Sequence, residues 1–203
     1  MLGYFKKSTT YSSDPDVHLM LEVQKGDRAA FDVLMRKYYA RILNFIYRFV
    51  GNREISEDLA QDVFLRVYKS ASSYRPKSKF QTWLYTIAKN ACLNEVRRNK
   101  GLFRSLGETL HPEDREFNPR MAGQKSAAPD EDLIRAEKIR VIRVAIQQLP
   151  EKQRIAVILR RYEEFSYKDI ASTLNISDKA VKSLLNRAKE NLRMRLEALV
   201  NED

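Results

Sequence analysis

Apolar residues return every three or four positions through two long stretches of this chain and lose that rhythm between them. From Asp16 to about Lys100 the recurrence predicts four helices. The first reads DVHLMLEVQKG and stops at Gly26. Asp27 is placed to cap the second, RAAFDVLMRKYYARILNFIYRFVGN, which ends at Gly51 and Asn52. The third starts near Glu54 or Ser56 and runs to about Ser70; the fourth runs from near Lys79 to about Arg98. Sustained alternation and Asn-Gly hairpin turns are both missing, so no strands are expected.

Between about Lys100 and Asp130 the periodicity fades into a stretch with three prolines and three glycines, the composition of an irregular linker. Fully extended, such a segment reaches on the order of 100 Å. Helical rhythm then resumes. LIRAEKIRVIRVAIQQL breaks at Pro150, EKQRIAVILRRYEE follows, and SYKDIASTL and SDKAVKSLLNRAKENLRMRLEALV close the chain. The expected fold is all-α: a flexible tail over 1–15, a helical domain over 16–100, a linker over 101–130 and a second helical domain over 131–203.

The strongest motif is SYKDIASTLNISDKAVKSLLNRAK, Ser166 to Lys189. Ile170, Ala171 and Leu174 share one face of a short helix, and Ala171 is small enough for a close helix crossing. Asn175 stands where a left-handed residue is needed. Ile176 plugs the junction, and Ser177 or Asp178 caps a second helix that buries Val181, Leu184 or Leu185, and Ala188. This is a helix-turn-helix, the unit that sends its second helix into the major groove. The face opposite the core carries Lys182, Ser183, Asn186, Arg187 and Lys189, long cations beside short hydrogen-bonding side chains.

Charge strengthens that picture. The net charge is +10 and the pI about 9.7, which favours a polyanionic partner. Hydrophobic residues at 43% suffice for real cores. The lone Cys92 precludes an internal disulfide and fits a reducing compartment, and His18 and His111 lack metal-ligand spacing. No cofactor or metal is expected, and no nucleophile, metal cluster or phosphate-cradling glycine loop points to an enzyme. With neither a membrane-length apolar run nor a signal-peptide core, the protein is expected in the cytoplasm.

Two further features set this chain apart from a simple basic helix-turn-helix protein. The third helix, EISEDLAQDVFLRVYKS, buries Ile55, Leu59, Val63 and Val67, while Glu54, Asp58, Gln61, Asp62 and Leu65 cover another arc. An acidic stripe with an apolar edge suits a protein partner. On the fourth helix Phe80, Trp83, Leu84, Ile87, Ala88 and Ala91 form a broad apolar face, beside a polar lane of Thr82, Thr86, Lys89, Asn90 and Arg97. The basic loop SSYRPKSKF precedes it, and Arg97, Arg98 and Lys100 follow. Cations at both ends with hydrogen-bonding residues between them fit a single-strand groove.

Taken together, VQKGDRAAFDVLMRKY, SEDLAQDVFLRVYKS, YRPKSKFQTWLYTIAKNACLNEVRR and LPEKQRIAVILRRYEEFSYKDIASTLNISDKAVKSLLNRAKENL resemble the extracytoplasmic-function sigma factors of the sigma-70 family, from about Asp16 to Leu199. The resemblance implies a sigma-2 domain followed by a sigma-4 domain. It implies that Asp58, Gln61, Asp62 and Phe64 grip the clamp of the largest subunit of core RNA polymerase. It implies a −10 surface of Arg75, Lys77, Ser78, Lys79, Thr86, Lys89, Asn90, Arg97 and Arg98, with a flipped base held near the loop and Asn90. It implies that Lys179, Lys182, Ser183, Asn186, Arg187 and Lys189 face the −35 element, supported by Arg160, Tyr167 and Lys168. The flap of the β subunit and an anti-sigma factor are the further partners implied. Trp83 is expected to brace its helix rather than stack on a base. The family's frequent Gly-Thr-Val-Lys-Ser-Arg run is here Lys179-Ala180-Val181-Lys182-Ser183-Leu184, so the resemblance does not carry over a −35 sequence. A stand-alone helix-turn-helix regulator is the alternative, and it leaves the Trp83 helix and the acidic stripe without a task.

Overall fold

The computed structural model describes Tyr11 and residues 13–98 and 129–201. Their elements are α1 (Pro15–Gln24), α2 (Arg28–Val50), α3 (Arg53–Lys69), a 3-10 turn (Ala71–Ser73), α4 (Phe80–Arg98), α5 (Pro129–Gln147), α6 (Glu151–Arg161), α7 (Tyr167–Leu174) and α8 (Asp178–Asn201). All are helical, as the periodicity predicts. The expected linker lies outside the described residues except at its last two positions, where α5 has begun.

The helices start where side chains can take their first free N–H groups. Asp27 Oδ1 accepts from Ala29 N at 2.8 Å and Ala30 N at 3.2 Å, and Asn52 Oδ1 accepts from Ile55 N at 2.9 Å. Gly51 ends α2 with φ +82°, returning its N–H to the Tyr47 carbonyl. Asp14 does more than expected of a tail residue. Its Oδ1 accepts from Asp16 N at 3.0 Å to cap α1, and its Oδ2 accepts from Phe80 N at 3.1 Å. One carboxylate thus starts two helices, and Asp14 belongs to the fold rather than to a flexible N-terminus.

Val17 and Met20 of α1, Leu34, Ile42, Phe45 and Phe49 of α2, Val63 and Val67 of α3, and Phe80 and Leu84 of α4 form the first core, all fully buried. Each such side chain contributes about 1.5–3 kcal/mol relative to exposure. Asp16 is buried at its edge, taking hydrogen bonds from Lys37 Nζ at 2.7 Å and from the Tyr38 hydroxyl. Ile155, Ile158 and Leu159 of α6 meet Ile170 of α7 and Val181 of α8 in the second block.

The two blocks are also packed on each other, which periodicity alone did not anticipate. Tyr85 of α4 is fully buried between Phe45 at 5.2 Å and Phe165 at 5.0 Å, both edge-to-face. Arg154 of α6 reaches the end of α2, where Nη1 donates to the Phe49 carbonyl at 2.8 Å and the guanidinium lies 4.9 Å from the Phe49 ring. Burial pulls its pKa down to about 10. The Gln147 side chain crosses Gly51 so closely that a Cβ there would overlap it.

Asp14→Ala is expected to cost about 1–3 kcal/mol, since two helix starts lose a charged acceptor, and Asp14→Asn to cost less. Urea denaturation of the full chain measures this; an unchanged midpoint for Asp14→Ala would show that the shared cap is unimportant.

Candidate nucleic-acid interface

The loop from Tyr74 to Lys79 and the following helix put the candidate strand-binding residues along one side of the first block. Arg75, Lys77 and Lys79 are exposed and Ser78 half-exposed. On α4, Asn90, Arg97 and Arg98 are exposed, and Thr86 and Lys89 are half-buried. Thr86 Oγ1 donates back to the Thr82 carbonyl at 2.8 Å. Arg98 is tied to the buried Glu95 at 2.8 Å. Thr82, placed in the lane by its helical angle, is instead 3% exposed. Ile87, placed in the core by the same wheel, is half-buried at the surface. Both differences have one cause: α4 is packed on two sides, so a single apolar arc does not describe it.

Between the loop and α4 lies an open cavity of about 370 Å³ lined by Tyr74, Arg75, Lys77, Ser78, Trp83 and Ile87. That volume is at the lower end of small-ligand sites. Trp83 is held edge-on to Tyr74 at 4.8 Å and tilted against Phe80 at 5.8 Å. It braces the helix and also forms a wall of the cavity. An aromatic wall with hydroxyls and cations at the mouth can hold a flat polar ring next to a phosphate.

On α3, Asp58 and Gln61 are exposed, and Leu65 and Tyr68 continue the stripe at 56% and 47% exposure. Asp62 is half-exposed and pairs with Arg66 at 2.6 Å. Phe64 does not lie on this surface. It is 3% exposed and tilted against Tyr39 at 5.9 Å, so it supports the stripe from below. The α-helical spacing explains the displacement, because Phe64 follows the buried arc of Ala60, Val63 and Val67.

The helix-turn-helix forms as its residues predict. Asn175 adopts φ +53° and ends α7, and Ser177 Oγ accepts from Ala180 N at 3.2 Å to start α8. Ile170, Ala171, Val181 and Ala188 are buried; Leu174, Leu184 and Leu185 are half-buried, and Thr173 is the further buried residue of α7. Lys179, Lys182, Ser183, Asn186, Arg187 and Lys189 are all exposed. Arg160 donates to the Phe165 carbonyl at 2.9 Å and lies 5.3 Å from the Tyr167 ring, which fixes both beside exposed Lys168.

Sequence reasoning passed over the residues that join the blocks. Glu163, 6% exposed, accepts from Arg41 Nη2 at 3.1 Å and Nε at 3.2 Å and from the Tyr85 hydroxyl. Its pKa lies above the usual carboxylate range, because burial outweighs the lowering by Tyr85, Arg41 and Arg48. Asp169 takes Lys79 Nζ at 3.2 Å and Thr82 Oγ1 at 3.5 Å. Burial would raise this second carboxyl, but the Ser166 hydroxyl and Lys79 together hold it below its ordinary value. Lys89 Nζ donates to the Thr173 carbonyl at 2.9 Å, and burial lowers its pKa. A local pattern carries no mark of such pairs; only the conspicuous Glu163-Glu164 step in a cationic stretch offered a signal.

Among the described residues no cluster of His, Cys, Asp and Glu is placed to hold a metal, and no helix is long and apolar enough to cross a membrane. Residues 34–101 match the family model for sigma-70 region 2, and residues 139–192 match the model for sigma-70 region 4. The RNA polymerase sigma-H factor of Pseudomonas aeruginosa is 36% identical over 94% of this chain and 98% of its own length. The ECF RNA polymerase sigma factor SigW of Bacillus subtilis is 32% identical over 88% of this chain and 95% of its own. In fold, the chain is similar to CnrH as solved in complex with the cytosolic domain of CnrY, at TM-score 0.61 and 20% identity over 93% of this chain and 98% of that one. The chain belongs to the extracytoplasmic-function sigma factors of the sigma-70 family. It is therefore a transcription initiation factor with a DNA-binding region 4, not an enzyme and not a stand-alone regulator.

Duplex DNA binding is expected to weaken steeply as salt rises, and Arg187→Ala to reduce the slope of log affinity against log salt by about 0.9. Anisotropy titrations across a salt series measure both; a flat response would remove the exposed α8 face as a phosphate-binding surface.

Proposed function

We propose that this sigma factor assembles with core RNA polymerase in the cytoplasm, reads a promoter with both blocks and captures the melted −10 strand on α4. The observation that carries this is the cavity between Tyr74 and Trp83, which opens beside the cationic loop and the polar lane. A base leaving the duplex loses stacking worth a few kcal/mol, and an aromatic-walled pocket recovers part of it without ATP. Arg75, Lys77, Ser78, Lys79, Thr86, Lys89, Asn90, Arg97 and Arg98 then track the strand. Lys179, Lys182, Ser183, Asn186, Arg187 and Lys189 read the −35 duplex, with Arg160, Tyr167 and Lys168 steadying its backbone.

The exposed stripe of Asp58, Gln61, Asp62, Leu65 and Tyr68 meets the clamp of the polymerase's largest subunit, where acid and apolar area together suit a basic, partly hydrophobic partner. Region 4 meets the flap of the β subunit. An anti-sigma factor is the inhibitor expected for such a chain. In support, the Bartonella quintana sigma factor RpoE, similar in fold at TM-score 0.61 and 22% identity over 82% of this chain and 96% of that one, was solved in complex with the anti-sigma factor NepR.

Core polymerase with and without the full chain, tested on a promoter library by run-off transcription, decides the matter. Promoter-specific transcripts are expected only with the chain; DNA binding without any polymerase dependence would overturn the proposal. Asp58→Lys is expected to weaken polymerase binding at least about tenfold while duplex affinity changes less than about twofold. A parallel loss of both would undo the division of labour between α3 and α8.

A further inference from the structure

The loop that carries the cations of the proposed strand site is held from outside, at both ends, by α1. Gln24 closes α1, and its side-chain Nε2 lies 2.9 Å from the Ala71 carbonyl, 3.1 Å from that of Ser72 and 3.2 Å from that of Tyr74. One amide thus shares its two protons among three carbonyls of the turn that enters the loop. At the other end of α1, Asp14 Oδ2 accepts from Phe80 N at 3.1 Å, where the loop gives way to α4. Ten residues of helix separate the two clamps, a length of about 15 Å. Helix α1 is itself fixed to α2, because buried Asp16 takes Lys37 Nζ and the Tyr38 hydroxyl, and the Tyr38 ring packs 5.5 Å from Phe80.

Tyr74, Arg75, Lys77 and Ser78 lie between the clamps and line the cavity with Trp83. Tyr74 is buried, and its hydroxyl has no hydrogen-bond partner among the described residues. No polar tether at the ring tip therefore sets where the ring stands. Its backbone does so, through a carbonyl that takes both the Gln24 amide and Arg75 Nη1, the latter at 2.8 Å. Without that amide three carbonyls lose a donor, and Arg75, a group the strand needs, is a replacement at hand.

We infer that α1 is the strut of this cavity and that Gln24 is a positioning residue for base capture. Without touching DNA, it holds Tyr74 against Trp83, so that Trp83 presents a fixed wall and Arg75 and Lys77 a fixed mouth. The inference rests on the reading of the cavity as the site that takes an unstacked base.

The test uses the full chain bound to core RNA polymerase and a labelled fork DNA from a promoter selected by run-off transcription, single-stranded over the −10 element. An abasic site is moved along the single strand. For the unsubstituted chain, affinity is expected to fall about tenfold at one position, that of the base held in the cavity. Gln24→Ala is expected to weaken the intact strand by about the same factor and to erase the abasic penalty, while affinity for a −35 duplex changes less than about twofold. Gln24→Glu, of equal size but with acceptors alone, is expected to behave as Gln24→Ala does. Gln24→Lys, which returns a donor on an unbranched side chain, is expected to restore most of the penalty. This pair stands by itself should Gln24→Ala fail to fold. Trp83 is the single tryptophan of the chain, so acrylamide quenching of its emission in the free protein reads the wall directly. Quenching is expected to rise in Gln24→Ala and Gln24→Glu. An abasic penalty kept in both variants, or quenching unchanged in both, overturns the strut and leaves the base-capturing cavity standing. The lack of an abasic penalty at every position in the unsubstituted chain overturns the cavity reading and the strut with it.

Discussion

The arrangement of this chain turns on one carboxylate. Glu163 sits in a loop of the second block yet finds its partners, Arg41 and Tyr85, on α2 and α4 of the first. A carboxylate taken out of water is costly unless its oxygens are met by charge and hydrogen bonds. Here both are supplied, and Arg41 keeps one edge in solvent, so the pair is worth less than a fully buried one but fixes a single register. That register decides which face of α7 meets α4, places Arg154 over the end of α2, and explains why Tyr85, an amphipathic residue, is among the most deeply buried side chains.

The sequence carried much of what depends on near neighbours, although the caps at Asp14 and Asn52 were not read from it. Helix number, the caps at Asp27 and Ser177, the left-handed Asn175 and the exposed basic face of α8 all follow from spacings of four residues or fewer. The larger errors fall where a helix meets something distant. Thr82 is buried and Phe64 is internal because α4 and α3 are packed on arcs wider than a two-sided wheel allows. Glu163 and Asp169 went unread for the same reason. Their partners lie 78 to 122 and 87 to 90 positions away, and no periodicity links them.

The two candidate nucleic-acid surfaces differ in kind. The α8 face is a set of exposed cations and short polar groups on a rigid helix, ready for a groove of regular shape. The α4 side is a half-covered strip whose lysines already have partners, next to an aromatic-walled cavity. Any ligand of the first merely displaces counterions, whereas any ligand of the second must also replace contacts within the protein.

Asp14 adds a constraint of a different sort. Its two oxygens tie the first turn of α1 to the first turn of α4, where Phe80 lies 66 residues beyond Asp14 in the chain. During synthesis α1 can be capped as soon as it emerges, but the other oxygen waits until Phe80 has left the ribosome. Asp14 thus acts as a keystone set last: α4 gains its fixed starting point only when nearly the whole first block has been made.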